Sequence, residues 1–245
     1  MKYFLDTEFH EYHKQPKILG RSVGKFIPTI DLISIGIVAE NGSKFYAISK
    51  DFNIKDAWNS WQPKDHNLQM ATVKEYWLRD NVLKPIFQQL FNKDNDVSEF
   101  SVVDTNAYFK MLNKEFTLKN FTKLINKYGK TNEEIANSLI YYVAANERVG
   151  SYMIKYGSQH IPINIQFYGY YADYDWVVLA QLFGRMMDLP KSFPMYCRDL
   201  KQMYDELNRP DLKSYPNYPK QDNEHNALAD AEWNLELYKF ISNIK

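Results

Sequence analysis

Residues 1–10 read MKYFLDTEFH, an apolar run that stops at two carboxylates two positions apart. In an extended strand, successive side chains point to opposite faces, so Asp6 and Glu8 share the face of Phe4, while Tyr3 and Leu5 share the other face. Two neighbouring carboxylates repel each other. The pair suits either a fully solvated strand end or a strand end that holds a cation, and these ten residues leave both open.

The composition limits the kinds of protein this chain can be. Its 245 residues, 45% hydrophobic and 16% aromatic, predict a sizeable core. Lys+Arg and Asp+Glu each number 30, so no overall positive field attracts a polyanion, and a nucleic-acid partner would need a local patch or a bound metal. The single cysteine, Cys197, excludes an internal disulfide and a thiolate zinc site, and it favours a reducing, cytoplasmic compartment.

Neither a signal peptide nor a membrane span is expected. Asp6 and Glu8 interrupt the N-terminal apolar run before it reaches the length of a signal-peptide core, and the chain has no run of about 18 apolar residues. We therefore expect no membrane partner.

A hairpin is predicted after the first strand. Residues 29–49 read TIDLISIGIVAENGSKFYAIS, two apolar runs on either side of Asn41-Gly42, a dipeptide typical of hairpin turns. Together with residues 2–8, these runs predict three antiparallel strands. Gly36, inside the first run, either makes room for a close neighbour or marks a bulge.

The middle of the chain has mostly helical patterns. Residues 11–26 are polar and basic and are predicted to form a loop, and residues 57–130 are mostly helical in pattern, with a break near Pro85. Thr131 and Glu134 have the spacing of a capping box at a helix start.

Two further acidic residues follow predicted elements of an α/β fold. Asp175 comes after a strand predicted at residues 163–168, at the start of a helix, and a short strand is predicted around residues 195–198. Asp230 lies in the first turns of the last helix, predicted over residues 226–244. Ligands of open α/β sheets bind in the crevice at the strand ends, so these acids could meet Asp6 and Glu8 there.

Each acid also has a simpler explanation. An Asp-x-Glu pair is common by chance. Asp173 and Asp175 straddle a helix start, where aspartate is favoured as a cap and by the helix dipole. Asp230 on a helix flank would ordinarily be solvated, and His225 in a polar loop would ordinarily be exposed.

Three motifs in a fixed order carry a family resemblance. They are D-x-E at Asp6-Thr7-Glu8, A-x-x-D-x-x-x-L from Ala172 through Asp175 to Leu179, and H-x-x-x-x-D from His225 to Asp230. This order resembles the exonuclease motifs of the DEDD superfamily, histidine branch (DEDDh). That branch contains the DnaQ-like and RNase T-like 3'-5' exonucleases, and the resemblance is to its small bacterial and phage exoribonuclease members.

Two other segments share the resemblance, and one motif departs from it. DLISIGIVAENG (31–42) resembles the second strand and hairpin of the family, and TVKEYW (72–77) resembles a helix of its small members. The family's usual second motif is N-A-x-F-D; here Tyr171 replaces the Asn and Tyr174 replaces the Phe.

The resemblance implies a ribonuclease H-like α/β fold. Its central sheet is mixed, with three antiparallel strands followed by parallel strands, and helices flank it. The matching motifs cover about residues 1–80 and 160–245. We therefore expect a single domain over residues 1–245, with a helical insertion around residues 90–160.

The same resemblance implies a metal-dependent 3'-to-5' exoribonuclease that hydrolyses RNA or oligoribonucleotides to nucleoside monophosphates. Asp6, Glu8 and Asp230 would hold one divalent cation, and Asp6 with Asp175 would assist a second. Hard carboxylate ligands suit Mg²⁺ or Mn²⁺, and two such ions stabilise the attacking and leaving oxygens of a phosphodiester displacement. His225 would be the general base, since imidazole exchanges protons near neutral pH.

Spacing constrains where two of these residues can lie. Five residues correspond to about 140° around a helix, so His225 is expected in the loop or first turn before the helix of Asp230. Of the two aspartates at the earlier helix start, Asp175 fits the motif spacing to Leu179. Asp173 is therefore assigned to capping.

Weaker assignments concern substrate contacts. Phe9, Trp77, Tyr168 and Tyr174 could stack on terminal bases, although core packing explains aromatic residues equally well. Arg198 could contact a phosphate. The implied partners are 3' ends of single-stranded RNA or DNA. The sequence does not determine the oligomeric state, and a homodimer is one arrangement open to it.

Two alternative functions remain open from the sequence. A 3'-to-5' DNA exonuclease would use the same acids, because recognition of the 2'-hydroxyl depends on the shape of the groove near the site. A non-catalytic nucleic-acid-binding module could share the fold. The presence of all four acids and His225 counts against the second alternative.

Overall fold

The computed structural model describes residues 1–19, 21–64, 73–97, 104–157, 163–209, 212–221 and 224–244. The strands are β1 (Lys2–Lys14), β2 (Lys17–Ile18), β3 (Arg21–Ser22), β4 (Ile27–Ala39), β5 (Lys44–Ile48), β6 (Gln62–Pro63), β7 (Lys74–Glu75), β8 (Gln166–Gly169) and β9 (Arg198–Asp199). The α-helices are α1 (Ile54–Asn59), α2 (Lys84–Asp94), α3 (Thr105–Glu115), α4 (Leu118–Tyr128), α5 (Asn132–Glu147), α6 (Ser151–Tyr156), α7 (Asp173–Gln181), α8 (Leu200–Asp205) and α9 (Ala227–Ile244). Arg79–Leu83 is π-helical, and Met186–Asp188 and Leu212–Ser214 are 3₁₀-helical.

Contacts between residues divide the chain into two units. The first unit contains Met1–Phe9, Leu32–Ser49 and Lys130–Lys245, and the second contains His10–Asp31 and Lys50–Gly129. Helices α5 and α6 thus belong to the first unit, whereas α3 and α4 belong to the second. The single domain with an insertion around residues 90–160 stays a prediction.

The central sheet is mixed, as predicted. Its strand order is β5-β4-β1-β8-β9. Strands β4 and β5 pair antiparallel, whereas β1 pairs parallel with β8, and β8 pairs parallel with β9. The backbone N–H of Glu40 donates to the carbonyl oxygen of Lys2 (2.9 Å), so the end of β4 lies beside the start of β1, as in an antiparallel pair.

The two faces of β1 pack against different helices. Tyr3 is fully buried, and its hydroxyl donates to Glu147 of α5 (2.9 Å). Phe4, also fully buried, packs against Tyr238 of α9, with ring centroids 5.2 Å apart. Complete burial of a side chain such as Phe4 stabilises the fold by about 1.5–3 kcal/mol. Because side chains alternate along a strand, the Phe4 face that meets α9 is also the face of Asp6 and Glu8.

Two glycines shape this unit. Gly42 has φ +86° at the turn between β4 and β5, which confirms the predicted Asn-Gly hairpin. A Cβ on Gly36 would lie 2.1 Å from the carbonyl oxygen of Ala227, the first residue of α9. Of the two interpretations of Gly36, the structure supports the close neighbour, and this glycine lets the start of α9 lie against β4.

A capping box begins α5, as the sequence predicts. The Thr131 side chain accepts a hydrogen bond from the Glu134 backbone N–H (3.1 Å), and the Glu134 carboxylate accepts from the Thr131 backbone N–H (2.7 Å). These two backbone N–H groups would otherwise lack a hydrogen-bond partner at the helix start.

The second unit departs from the sequence predictions in three places. The predicted loop at residues 11–26 is wrong in part, because β1 continues to Lys14 and β2 pairs with β3. The polar residues 11–14 are mostly exposed, so they form a strand without an apolar face. The predicted break near Pro85 is wrong, because π-helical Arg79–Leu83 runs directly into α2. The hydrogen-bonding pattern changes from π to α beside Pro85, which has no N–H to donate. Within the TVKEYW segment, Lys74 and Glu75 form strand β7, and residue 72 lies outside the described residues.

An aromatic core fills the helical part of the second unit. Trp58 of α1 packs on Phe116 (centroids 4.6 Å apart), and Phe116 packs on Phe87 of α2 (5.2 Å).

Among the described residues, no helix is both long and apolar enough to span a membrane.

Candidate active site

Three carboxylates from β1 and α9 lie together in the first unit. Oxygen atoms of Asp6, Glu8 and Asp230, one from each side chain, all lie within 4.8 Å of one another. Among the described residues, no other group of three or more His, Cys, Asp or Glu side chains has its potential ligand atoms this close together. Glu8 is 9% exposed and Asp230 is 7% exposed, so these acids are not a solvated surface cluster.

The fourth acid, Asp175, is held by Thr7, which lies between Asp6 and Glu8 in β1. Asp175 lies in the first turn of α7 and is 6% exposed. Its Oδ1 accepts hydrogen bonds from the backbone N–H of Thr7 (2.8 Å) and from the Thr7 hydroxyl (2.6 Å). Thr7 therefore fixes Asp175 beside Asp6 and Glu8.

The turn before α9 positions Asp230 and His225. Asp230 accepts from the Gln221 side-chain amide (2.7 Å) and from the backbone N–H of His225 (2.9 Å). Asn226 caps the helix, because its Oδ1 accepts from the backbone N–H groups of Leu228 and Ala229. His225 lies in this turn, outside the helix, as the spacing argument predicted.

These residues line one open cavity of about 450 Å³. The four acids share it with Thr7, Phe9, Tyr170, Tyr171, Tyr174, Gln221, Glu224 and His225. Two of the lining residues have left-handed backbone conformations, Tyr171 with φ +56° and His225 with φ +67°. Such conformations cost about 1–3 kcal/mol each in non-glycine residues, and they cluster at functional sites.

The electrostatics of the cavity disfavour ionised carboxylates. Burial, and then the charge of Asp175, raises the pKa of Asp6 well above its usual range. Burial, and then the charge of Asp230, raises the pKa of Glu8 to about 8. Burial raises the pKa of Asp175 to about 6, although the Thr7 hydrogen bonds oppose the shift. Burial also raises the pKa of Asp230, against the hydrogen bonds from Gln221 and His225.

The donor set fits a divalent cation. Of the described residues that line the cavity, none is a lysine or an arginine, and His225 is the one basic side chain among them beside five carboxylates. Carboxylate oxygens are the ligands that Mg²⁺ and Mn²⁺ prefer. Of the two alternatives for residues 1–10, a fully solvated strand end is excluded, because Glu8 is buried and Asp6 is half-buried.

The sequence matches a known family over nearly its whole length. The model of the family described as "3'-5' exoribonuclease Rv2179c-like domain" matches residues 2–242. The chain belongs to this family. The matched range contains the D-x-E pair, Asp175 and the segment from His225 to Asp230.

Two curated proteins of Mycobacterium tuberculosis are similar to this member of the Rv2179c-like family. They are "3'-5' exoribonuclease Rv2179c" of strain H37Rv and "3'-5' exoribonuclease MT2234.1" of strain CDC 1551. Each is 24% identical over 249 residues, which cover 99% of this chain and 94% of the relative. The full-length match and the acid cavity together support the nuclease class at family level.

In this Rv2179c-like chain, the capping role assigned to Asp173 is wrong. The cap residue of α7 is Ala172, no side chain caps this helix, and Asp173 is already helical and exposed. The Ala172 N–H instead donates to Asp199 (2.9 Å), whose other oxygen accepts from the Gln202 N–H at the start of α8. Asp199, which the sequence reasoning missed, thus holds the starts of α7 and α8 together.

The aromatic residues predicted to contact substrate have different locations. Phe9 lines the acid cavity and stacks on Tyr174, with centroids 5.9 Å apart. Tyr168 is 5% exposed, and its ring packs on Phe4 (5.4 Å) and Tyr238 (4.9 Å), so the base-stacking role is wrong and Tyr168 belongs to the core. Trp77 lies in the second unit and is 37% exposed; its role stays a prediction.

Arg198 also stays a prediction. It is exposed on the edge strand β9, with its guanidinium carbon 5.9 Å from the ring centroids of Tyr168 and Tyr196.

Buried Asn234 is a further residue that the sequence reasoning missed. It is 1% exposed, and its side-chain amide donates to the carbonyl oxygen of Leu5 (2.9 Å), next to Asp6 in β1. Asn234 thereby ties α9 to β1 at the level of the acids. It follows Asp230 by four residues, so helical spacing places both on one face, a signal available in the sequence.

Proposed function

We propose that the protein is a metal-dependent 3'-to-5' exoribonuclease of the DEDDh type, with a ribonuclease H-like fold, that releases nucleoside monophosphates from RNA 3' ends. The observation that carries the proposal is the group of Asp6, Glu8 and Asp230, with oxygens within 4.8 Å in a cavity that lacks a lysine or arginine among its described lining residues. The family description supports RNA as the substrate.

Each acid has a distinct part in the proposed site. Asp6, Glu8 and Asp230 would hold one divalent cation, and Asp6 with Asp175 would hold the second. Bound Mg²⁺ or Mn²⁺ supplies positive charge that stabilises the attacking and leaving oxygens of a phosphodiester displacement. Thr7 keeps Asp175 oriented through its two hydrogen bonds to Oδ1.

His225 is the proposed general base. Its backbone N–H donates to Asp230, which fixes the turn against the acids, and the residue lines the same cavity. It would accept a proton from the attacking water as the new oxygen–phosphorus bond forms and the bond to the 3' oxygen of the preceding nucleotide breaks. The exposed rings of Tyr171 and Tyr174, with Phe9, offer faces on which the terminal base can stack.

A labelling experiment tests this proposal. Purified protein is incubated with RNA and DNA of equal sequence, labelled at the 5' or the 3' end, in Mg²⁺, in Mn²⁺ or in EDTA. The proposal predicts that 5'-labelled RNA shortens stepwise, that 3'-labelled RNA yields a mononucleotide at once, and that EDTA stops both reactions. Preferential degradation of DNA would favour the DNA exonuclease alternative, and turnover in EDTA would contradict metal dependence.

Two accompanying proposals concern the cellular compartment and the binding partner. The single cysteine favours a reducing, cytoplasmic location. The partner is the 3' end of a single-stranded nucleic acid, and the homodimer stays a prediction.

A further inference from the structure

A second cavity adjoins the acid cavity. It measures about 600 Å³ and is formed mainly by the segment 213–221, together with Tyr170 and Trp233. Tyr170, Gln221 and Glu224 line both cavities. The two cavities are therefore neighbours with a common wall.

The charged side chains that line the second cavity are mostly basic, with two lysines against one carboxylate, Glu224, among the described residues. Lys213 and Lys220 line it, and both are exposed. Across the part of the chain that the structure describes, neither lysine forms an ion pair with a carboxylate. Two ammonium groups are thus available in a cavity next to a site that has no lysine or arginine among its described lining residues.

The segment that carries these lysines is anchored to the helix that carries Asp230. The indole N–H of Trp233 in α9 donates to the carbonyl oxygen of Pro219 (3.1 Å). The ring of Tyr218 packs edge-on against Phe240 of α9, with centroids 5.4 Å apart and an interplanar angle of 81°. The wall of the second cavity therefore has a fixed position relative to Asp230.

An aromatic ring lies at the junction of the two cavities. Tyr170 is half-buried, and its ring packs edge-on against Trp233 (5.1 Å) and against Tyr171 (4.8 Å). Aromatic side chains beside cationic groups are the usual elements of single-strand binding, because bases stack on rings while ammonium groups pair with phosphates.

We infer that this second cavity binds the RNA strand on the 5' side of the terminal nucleotide, with Lys213 and Lys220 pairing with backbone phosphates and Tyr170 contacting the strand between the two cavities. The inference rests on the proposed function for the identity of the ligand. Its physical basis is charge, because the chain has no net charge and the acid cavity repels a polyanion, so the strand needs positive charge close to the site.

Binding measured without turnover tests the inference. The probe is a fluorescent RNA of about eight nucleotides, within the usual range of single-strand sites, in EDTA, with anisotropy recorded over a series of salt concentrations. Replacing two phosphate contacts with neutral side chains, in Lys213→Gln/Lys220→Gln, should weaken binding several-fold. It should also make the slope of log K against log salt shallower by about 1.4. Lys213→Arg/Lys220→Arg should keep the wild-type slope.

The matched control is Lys155→Gln/Lys191→Gln, which removes two exposed charges from residues that line neither cavity. It should bind RNA as wild type does. An affinity and slope of Lys213→Gln/Lys220→Gln equal to those of wild type, or a loss no greater than that of the control, would overturn the inference.

Turnover then separates this inference from the proposed function. The ratio of kcat/KM for the eight-nucleotide RNA to that for a dinucleotide should fall in Lys213→Gln/Lys220→Gln and stay at the wild-type value in the control. An unchanged ratio in the lysine variant would overturn the inference while leaving the exoribonuclease proposal intact. If wild type cleaves no RNA, the proposed function fails, and the salt slope in EDTA still decides whether the cavity binds the strand.

Discussion

Asp230→Asn removes one charge from the buried carboxylates while preserving the shape of the side chain. The new amide oxygen can accept from the His225 N–H, and Gln221 can turn its own amide over to accept from the new NH₂, so both positions hydrogen-bonded to Asp230 keep a partner. The substitution therefore tests charge rather than packing. In the metal-free protein it should stabilise the fold, although it removes a proposed metal ligand.

The size of the expected gain in stability follows from the pKa of Glu8. It rises from 4.5 to about 8, with burial the largest cause and the charge of Asp230 the next. At about 1.4 kcal/mol for each pKa unit, ionised Glu8 costs the metal-free fold about 5 kcal/mol. Removing the charge of Asp230 should recover on the order of 1–2 kcal/mol of this cost. For a chain of this size, that corresponds to an increase in Tm of a few °C, at about 2–4 °C for each kcal/mol.

The pH dependence has a definite sign. Because the folded-state pKa of Glu8 lies above its unfolded value, the folded protein binds more protons than the unfolded chain between about pH 4.5 and pH 8. The stability of the metal-free wild type should therefore fall as pH rises through this window. The raised pKa of Asp6 acts in the same direction, and the fall should be smaller in Asp230→Asn.

Urea unfolding in EDTA at several pH values across the window measures both effects. Asp173→Asn is the matched control, since it removes an exposed carboxylate at the start of α7 and should keep the wild-type slope of stability against pH. Asp230→Asn should also lose nuclease activity in Mg²⁺. Wild-type stability that rises with pH across this window, or an Asp230→Asn protein less stable than wild type near pH 8, would refute the reasoning.

Three further variants probe other parts of the site. Gly36→Ala should destabilise the fold by about 1–3 kcal/mol in urea unfolding and lower the nuclease rate, because the new Cβ would lie 2.1 Å from the Ala227 carbonyl oxygen. A Gly36→Ala protein as stable as wild type would contradict the close packing of α9 on β4. Thr7→Val removes the hydrogen bond from the Thr7 hydroxyl to Asp175, so it should lower the free energy of unfolding by about 1 kcal/mol and raise the Mg²⁺ concentration needed for activity. Thr7→Ser should behave like wild type. Equal Mg²⁺ dependence in wild type and both variants would argue against this hydrogen bond as the anchor of Asp175. His225→Ala should lose most of the rate yet keep the rise in Tm on adding Mn²⁺, and an unchanged rate would exclude the general-base role.

Local rules account for what the sequence predicted correctly. Strand alternation placed Asp6 and Glu8 on one face, and the Asn41-Gly42 turn and the capping box of Thr131 and Glu134 depend only on neighbouring residues. Each of these features is decided within a few positions of the chain.

Contacts between distant parts of the chain account for what the sequence did not predict. Asn234 donates to Leu5, and Gln221 supports Asp230 from a loop without a recognisable pattern. Tyr168 looked available for stacking because a strand pattern does not tell whether a helix covers its face, and α9 does. Asp173 was taken for a cap because the first helical residue was placed one position too late.

The central claim is that Asp6, Glu8 and Asp230 form a divalent-cation site, and calorimetric titration of the metal-free protein with Mn²⁺ near pH 7, in two buffers of different ionisation enthalpy, tests it most directly. The pKa of Glu8 is about 8 and that of Asp6 is raised, so both carboxyls must lose protons before they ligate a metal. The account predicts that wild type binds Mn²⁺ and releases about one or more protons per site, and that Asp6→Asn binds far more weakly. Mn²⁺ binding without proton release, or equal binding by Asp6→Asn, would contradict it.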